Sequence, residues 1–150
     1  MVGIDTDVLC VYHVFKRDPR HKVTGSFMQR SKDVARGIAI FSLLELCGVV
    51  ASAGPVDEAM KLFEGYHLKS DVSVLYPPVA FAIERDFWRQ LNVEILTRIG
   101  RKMRLGDAAI LWALEANSCA TVVTWNTRHF VGKTTASIQT PAEWLQERGS

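Results

Sequence analysis

Short runs rich in apolar residues recur along this chain, and each is followed by a stretch with helical periodicity. Val2 to Asp5, Gly37 to Phe41, Asp71 to Leu75 and Ala120 to Thr124 read as strands, and Ser137 to Gln139 as a short fifth one. The intervening helices are expected at Val8 to Phe15, Ser42 to Ala53, Val56 to His67, Val79 to about Arg101 with Asn92 as a candidate break, and Asp107 to Ala116. A closing helix starts at Thr140, where Pro141 fits the first helical position and Glu143 completes a capping box. Apolar strands alternating with helices predict an α/β domain, a parallel sheet covered on both faces. With 150 residues, one domain spanning 1–150 is expected, long enough to bury a core.

Composition narrows the function classes only a little. The formal charge is +2, so nucleic-acid binding must rest on local basic patches rather than on net charge. Cys10, Cys47 and Cys119 are odd in number and far apart, with no CxxC spacing. They read as reduced thiols of a cytoplasmic protein. Asp5 and Asp7 interrupt the first apolar stretch, so it does not read as a signal peptide. Between Gly37 and Gly54 the one charge is Glu45, but the stretch reads as a strand followed by a helix, and no membrane span is expected.

The acids fall where chemistry is expected. In open α/β sheets, ligands bind at the carboxyl ends of the strands. Asp5 ends the first strand and Asp7 follows it; Glu45 is expected in the first turn of the helix after the second strand; Asp107 begins a buried helix; Asn126 and Thr124 stand at the end of the fourth strand. Carboxylates gathered this way repel unless a cation neutralises them, and magnesium takes oxygen ligands while keeping water and substrate phosphate. Each residue also has a plainer reading. Ser42 to Glu45 fits a capping box, Asp107 and Asp7 fit helix caps, and Asn126 fits a turn. Asp5 is the hardest to explain so, because an acid closing a buried strand is costly without a partner.

Val2-Gly3-Ile4-Asp5-Thr6-Asp7-Val8-Leu9, Ser42-Leu43-Leu44-Glu45-Leu46, Arg104-Leu105-Gly106-Asp107-Ala108-Ala109-Ile110 and Thr124-Trp125-Asn126-Thr127-Arg128-His129-Phe130 follow one another in that order. Together with the tail Thr140 to Leu145, they resemble the motifs of the PIN-domain nucleases, especially the prokaryotic toxin-like (VapC-type) ribonucleases. The resemblance implies a three-layer α/β/α fold around a parallel sheet of about five strands. It implies hydrolysis of single-stranded RNA with magnesium or manganese, leaving 5′-phosphate and 3′-hydroxyl ends. It also implies a homodimer and an inhibitory antitoxin partner. Carried over by position, Asp5, Glu45 and Asp107 are the catalytic acids and metal ligands, with Thr124 in support. Asn126 stands where the family has a fourth acid, and Asp7 where it often has asparagine, so Asp7 is expected to offset part of the missing charge.

Arg101, Arg104 and Arg128 lie beside proposed site residues and are the expected phosphate contacts. Two further basic clusters, Lys16, Arg17, Arg20, His21 and Lys22, and Arg30, Lys32 and Arg36, read equally as substrate contacts or as solvated surface. His129 reads as structural, Trp125 as core with base stacking as its alternative, and Val56 to His67 as a candidate dimer helix. Two other functions compete. A haloacid-dehalogenase-like phosphatase shares Asp5-Thr6-Asp7, but Leu9 stands where it needs threonine and no second acid follows Gly106-Asp107. A degenerate PIN-like RNA- or protein-binding module is suggested by Asn126.

Overall fold

A computed structural model describes residues 1–78 and 84–149. Five short strands, β1 (Val2–Ile4), β2 (Arg36–Ala39), β3 (Ser73–Leu75), β4 (Thr121–Val123) and β5 (Ser137–Gln139), form one parallel sheet in the order β3-β2-β1-β4-β5. The seven α-helices of the described residues are α1 (Thr6–His13), α2 (His21–Arg30), α3 (Ile40–Ala53), α4 (Val56–Leu68), α5 (Glu84–Gly100), α6 (Leu105–Ala116) and α7 (Pro141–Glu147).

The pleat sends alternate residues to opposite layers. Val2, Ile4, Ile38 and Val123 pack with α1, α2, α3 and α7, through Leu9, Phe27, Leu43 and Trp144 among others. Ala39, Leu75 and Val122 pack on the other face against Ile110, Ala113 and Leu114 of α6. Gly3 belongs to that second face because a Cβ there would come within 2.9 Å of the Leu114 side chain. This is the expected three-layer α/β/α architecture.

Several boundaries differ from the sequence expectation. Residues 23–35, to which the sequence assigned no element, form most of α2 and a short 3-10 turn at Ser31–Asp33. α2 buries only Thr24, Phe27 and Met28, too sparse a stripe to read as an amphipathic pattern. α3 starts at Ile40, not at Ser42, so the Ser42–Glu45 capping box does not form. Instead the Ser42 hydroxyl is buried without a hydrogen-bond partner. α5 runs unbroken through Asn92. The expected helical start from Val79 lies outside the described residues. The capping box of α7 forms as expected, Thr140 accepting from the Glu143 amide at 3.2 Å and its own amide donating to Glu143 Oε2 at 2.7 Å. Among the described residues, no helix is long and apolar enough to cross a membrane, and all three thiols are unpaired.

The strand order fixes where a ligand can sit. From β1 the chain runs outward to β2 and β3 on one side, then returns to β4 and β5 on the other. The crevice lies beyond the carboxyl ends of β1 and β4, where the direction of winding reverses.

Candidate active site

Ile4 is level with Val123 in the β1–β4 register, so the next residues, Asp5 and Thr124, face each other across the crevice. Asp5 is the N-cap of α1, its Oδ1 accepting from the Thr6 amide at 2.7 Å. Its Oδ2 accepts from the buried Thr124 hydroxyl at 2.8 Å. Asp5 is only 6% exposed. Burial, and then the charge of Asp7, push its carboxyl up to about 8, outweighing the bonds from Thr124 and Thr6 that favour the anion.

Asp7 is therefore not the cap of α1. Its Oδ1 accepts from the Trp125 amide at 3.1 Å, and its Oδ2 lies 3.2 Å from Thr124 Oγ1. Its pKa is raised by burial. The Thr124 hydroxyl has one hydrogen for two carboxylates, and the shorter contact assigns it to Asp5. The same oxygen accepts from the Asn126 amide at 3.0 Å. Thr124 thus ties β4, α1 and the following turn together through one atom.

Glu45 and Asp107 arrive from the helices. Glu45 stands in the second turn of α3, one turn later than expected, and its Oε2 accepts from Thr6 Oγ1 at 2.8 Å. Its other oxygen lies over Gly106: a Cβ on Gly106 would come within 2.5 Å of Glu45 Oε1. Asp107 is the third residue of α6, not its cap, since Arg104 occupies the cap position. Asp107 Oδ2 is 3.1 Å from His129 Nδ1.

Asn126 faces the same space. Its Oδ1 accepts from Arg128 Nε at 3.0 Å, and its Nδ2 stands 2.9 and 3.3 Å from the two ring nitrogens of His129. Such similar distances place the amide against the ring rather than on one nitrogen's lone pair. Asp5, Thr6, Asp7, Glu45, Asp107, Asn126 and His129 line one cavity of about 330 Å³, together with Cys10, Val11, Phe15 and Arg20. Burial and the nearby acids push the Cys10 thiol up to about 11, so it remains neutral.

The basic residues sort differently from the expectation. Of the expected arginines, Arg128 reaches the site through Asn126. Arg101 donates instead to the Lys133 carbonyl at 3.1 Å, and Arg104 is exposed at the N-cap of α6; neither lines the cavity. Arg20 does, its guanidinium held by Asp18 at 2.7 Å and lying 5.7 Å from the Trp125 ring centroid. Arg36 is not a surface cation. It is buried, and it donates to Met28 O, Ser31 Oγ and Asp71. Trp125 is partly buried and packs on the core, its indole N–H donating to Thr24 Oγ1 at 3.1 Å. Thr6 is the site residue to which the sequence assigns no role; Arg20 reads there equally as a substrate contact or as solvated surface, and His129 as structural. The i+1 position after Asp5 hints at Thr6, but the loop that returns Arg20 has no periodic signal.

The donor set is chemically suited to a hard divalent cation. Of two neighbouring carboxylates Asp5 is buried and Asp7 partly buried, at a cost that positive charge would offset, and Glu45 and Asp107 line the same space. Among the described residues, no group of three or more His, Cys, Asp or Glu side chains is spaced to hold a metal ion together. An open set fits magnesium's habit of taking one or two carboxylates and filling the rest with water and phosphate.

No family model and no curated protein matches this sequence. Solved structures do resemble it. VapC20 of Mycobacterium tuberculosis, described as a sarcin-ricin loop cleaving toxin, is 15% identical with a TM-score of 0.61, over 81% of this chain and 87% of that one. VapBC2 of Rickettsia felis, solved on a DNA fragment from its promoter, is 17% identical with a TM-score of 0.61, over 93% and 98%. FitAcB of Neisseria gonorrhoeae is 17% identical with a TM-score of 0.61, over 95% and 99%. The chain has a PIN-like fold. Its acidic cavity falls at the switch point of the sheet, where ligands of open α/β sheets bind.

Proposed function

We propose that this protein is a metal-dependent endoribonuclease that hydrolyses single-stranded RNA, acting as the toxin of a toxin–antitoxin pair. The observation that carries the reading is the convergence of Asp5, Asp7, Glu45 and Asp107 on one cavity, with Asp5 buried and resisting ionisation. Asp5, Glu45 and Asp107 are the residues that would hold magnesium or manganese, one or two of them directly and the rest through water. When bound, such an ion offsets charge developing on a phosphodiester and generates hydroxide from water.

The side chains have separable tasks. Thr124 keeps Asp5 in one orientation and stabilises its charged form. Asp7 adds a carboxylate next to Asp5, the charge that Asn126 does not supply. Thr6 steadies Glu45, which is then placed to orient or deprotonate the attacking water. Asn126, held by Arg128 and resting on His129, offers dipoles rather than charge. Arg20 and Arg128 are the cations suited to the substrate phosphate.

The likeness to VapC20 supports the RNA substrate, and the likeness to VapBC2 and FitAB structures solved with DNA fragments supports a protein partner. A homodimer and a cytoplasmic location complete the proposal; the unpaired thiols fit a reducing compartment. Incubating the purified chain with labelled single-stranded RNA tests the activity, with magnesium, manganese or a chelator present. The expected result is metal-dependent fragments with 5′-phosphate ends. Release of inorganic phosphate from small phosphomonoesters, with RNA left whole, would instead support the phosphatase.

A further inference from the structure

The mouth of the acidic cavity carries an aromatic ring that the nuclease chemistry does not use. Phe15 lines that cavity and is 48% exposed. Its neighbours Tyr12 and Val14 pack against the main hydrophobic cluster, but Phe15 joins no such cluster among the described residues. Phe15 also lines a second cavity, with Val14, Lys16, Arg17 and Asp18. Phe15 is thus shared by both cavities, the first lined by the acids with Arg20, the second by Lys16 and Arg17 with Asp18.

The ring sits on an ordered turn. The Phe15 amide donates to Cys10 O at 3.0 Å, the Asp18 amide to Phe15 O at 3.0 Å, and the His21 amide to Asp18 O at 2.9 Å. Lys16 Nζ donates to Tyr12 O, which keeps its ammonium beside the turn, and Arg17 is exposed. An exposed ring flanked by cations is the arrangement that takes single-stranded nucleic acid: the base stacks and the backbone meets positive charge. The acidic cavity alone would repel a polyanion, so a strand entering it gains from cations on its approach.

We propose that Phe15 is a stacking platform for one base of a bound single-stranded RNA, next to the scissile phosphate, with Lys16 and Arg17 holding the backbone beyond it. This rests on the nuclease reading for what the strand is, and it adds where the strand runs. The ring requires a base at one position and is tolerant of its identity, because every base has a π face.

Two measurements on the full chain test it. The first is binding, in chelator so that nothing is cut, of a short single-stranded RNA carrying 2-aminopurine. The native protein should quench the fluorophore at one position along the strand. Phe15→Ala should abolish that quenching and weaken binding by about 10-fold, with Phe15→Trp restoring both. The second is cleavage of RNAs with one abasic site. In native protein the abasic site should cost about the same factor at one position beside the cut. In Phe15→Ala it should cost nothing more there. A melting temperature equal to that of native protein shows that Phe15→Ala is folded.

Cleavage that is equally sensitive to the abasic site with and without Phe15 overturns the platform and leaves the nuclease standing. Phe15-dependent quenching in a protein that never cleaves RNA supports the platform and removes the nuclease. RNA that does not bind in chelator and is neither bound nor cut with manganese overturns both.

Discussion

At the scale of single residues, the site is organised around one hydroxyl and one buried acid. Asp5 retains its proton well above the ordinary value of 3.8, to about 8 in the folded chain. Between those two values the folded state holds a proton at Asp5 that the unfolded chain has released, so the contribution of Asp5 to stability falls as pH rises through this window. His13, held down to about 4 by burial, contributes the opposite slope up to pH 6.5. Between pH 6.5 and 8 the metal-free protein should therefore lose melting temperature, and Asp5→Asn should flatten that slope while raising the melting temperature at the alkaline end. A native slope of the opposite sign, or an unchanged slope in Asp5→Asn, would show that Asp5 is not the group that titrates. Thr124 carries the complementary prediction. Its hydroxyl donates to Asp5 and accepts from Asn126, and supporting contacts of this kind are worth ~10–100-fold in metal affinity or activity. Thr124→Val keeps the shape and removes the hydroxyl. Its kcat on RNA should fall by about that factor, with Thr124→Ser restoring most of it.

At the scale of elements, the acids were legible because each follows an element whose pattern is strong. Val2 to Ile4 is buried throughout, so Asp5 was expected at a strand end and is found there. α6 is nearly all apolar, which marked Asp107 as the start of a buried helix. Glu45 was displaced by one turn because Ser42 imitates a cap, although the real start of α3 has no capping side chain. α2 was not legible at all: its N-cap is Arg20, with no side-chain cap, and its apolar stripe is thin. That omission also hid how the segment before α2 folds back to bring Phe15 and Arg20 to the cavity. The packing of α3 against α6 yields a prediction that neither helix implies alone. Gly106 leaves room for the Glu45 carboxylate, and a methyl group there would come within 2.5 Å of Oε1. Glu45 is a flexible side chain, so the cost falls on its position, not on the fold. Gly106→Ala should leave the melting temperature equal or higher, since alanine favours a helix by ~1 kcal/mol. Cleavage should drop by up to ~100-fold, the loss that a 1 Å misplacement can cause. Equal losses of stability and activity would mean that Gly106 serves packing alone.

At the scale of the whole molecule, the parallel sheet explains why residues so far apart in sequence form one site. Asp5 and Thr124 are 119 residues apart and Thr6 and Glu45 are 39 apart, yet all lie at the carboxyl edge, where the winding reverses beside β1. The fold was legible from the alternation of apolar strands and helices. The charge balance of the site was not, because it depends on side chains that meet across the sheet: Thr124 shared between Asp5 and Asp7, and His129 set against Asp107. The central claim is that this edge is a metal-dependent nuclease centre built on Asp5 and Asp107. Cleavage of one labelled single-stranded RNA by native protein, Asp5→Asn and Asp107→Asn, each shown to be folded and each assayed with manganese and with chelator, tests it most directly. The account predicts cutting by native protein with manganese and none by either variant; cutting that survives both substitutions, or that persists in chelator, would contradict it.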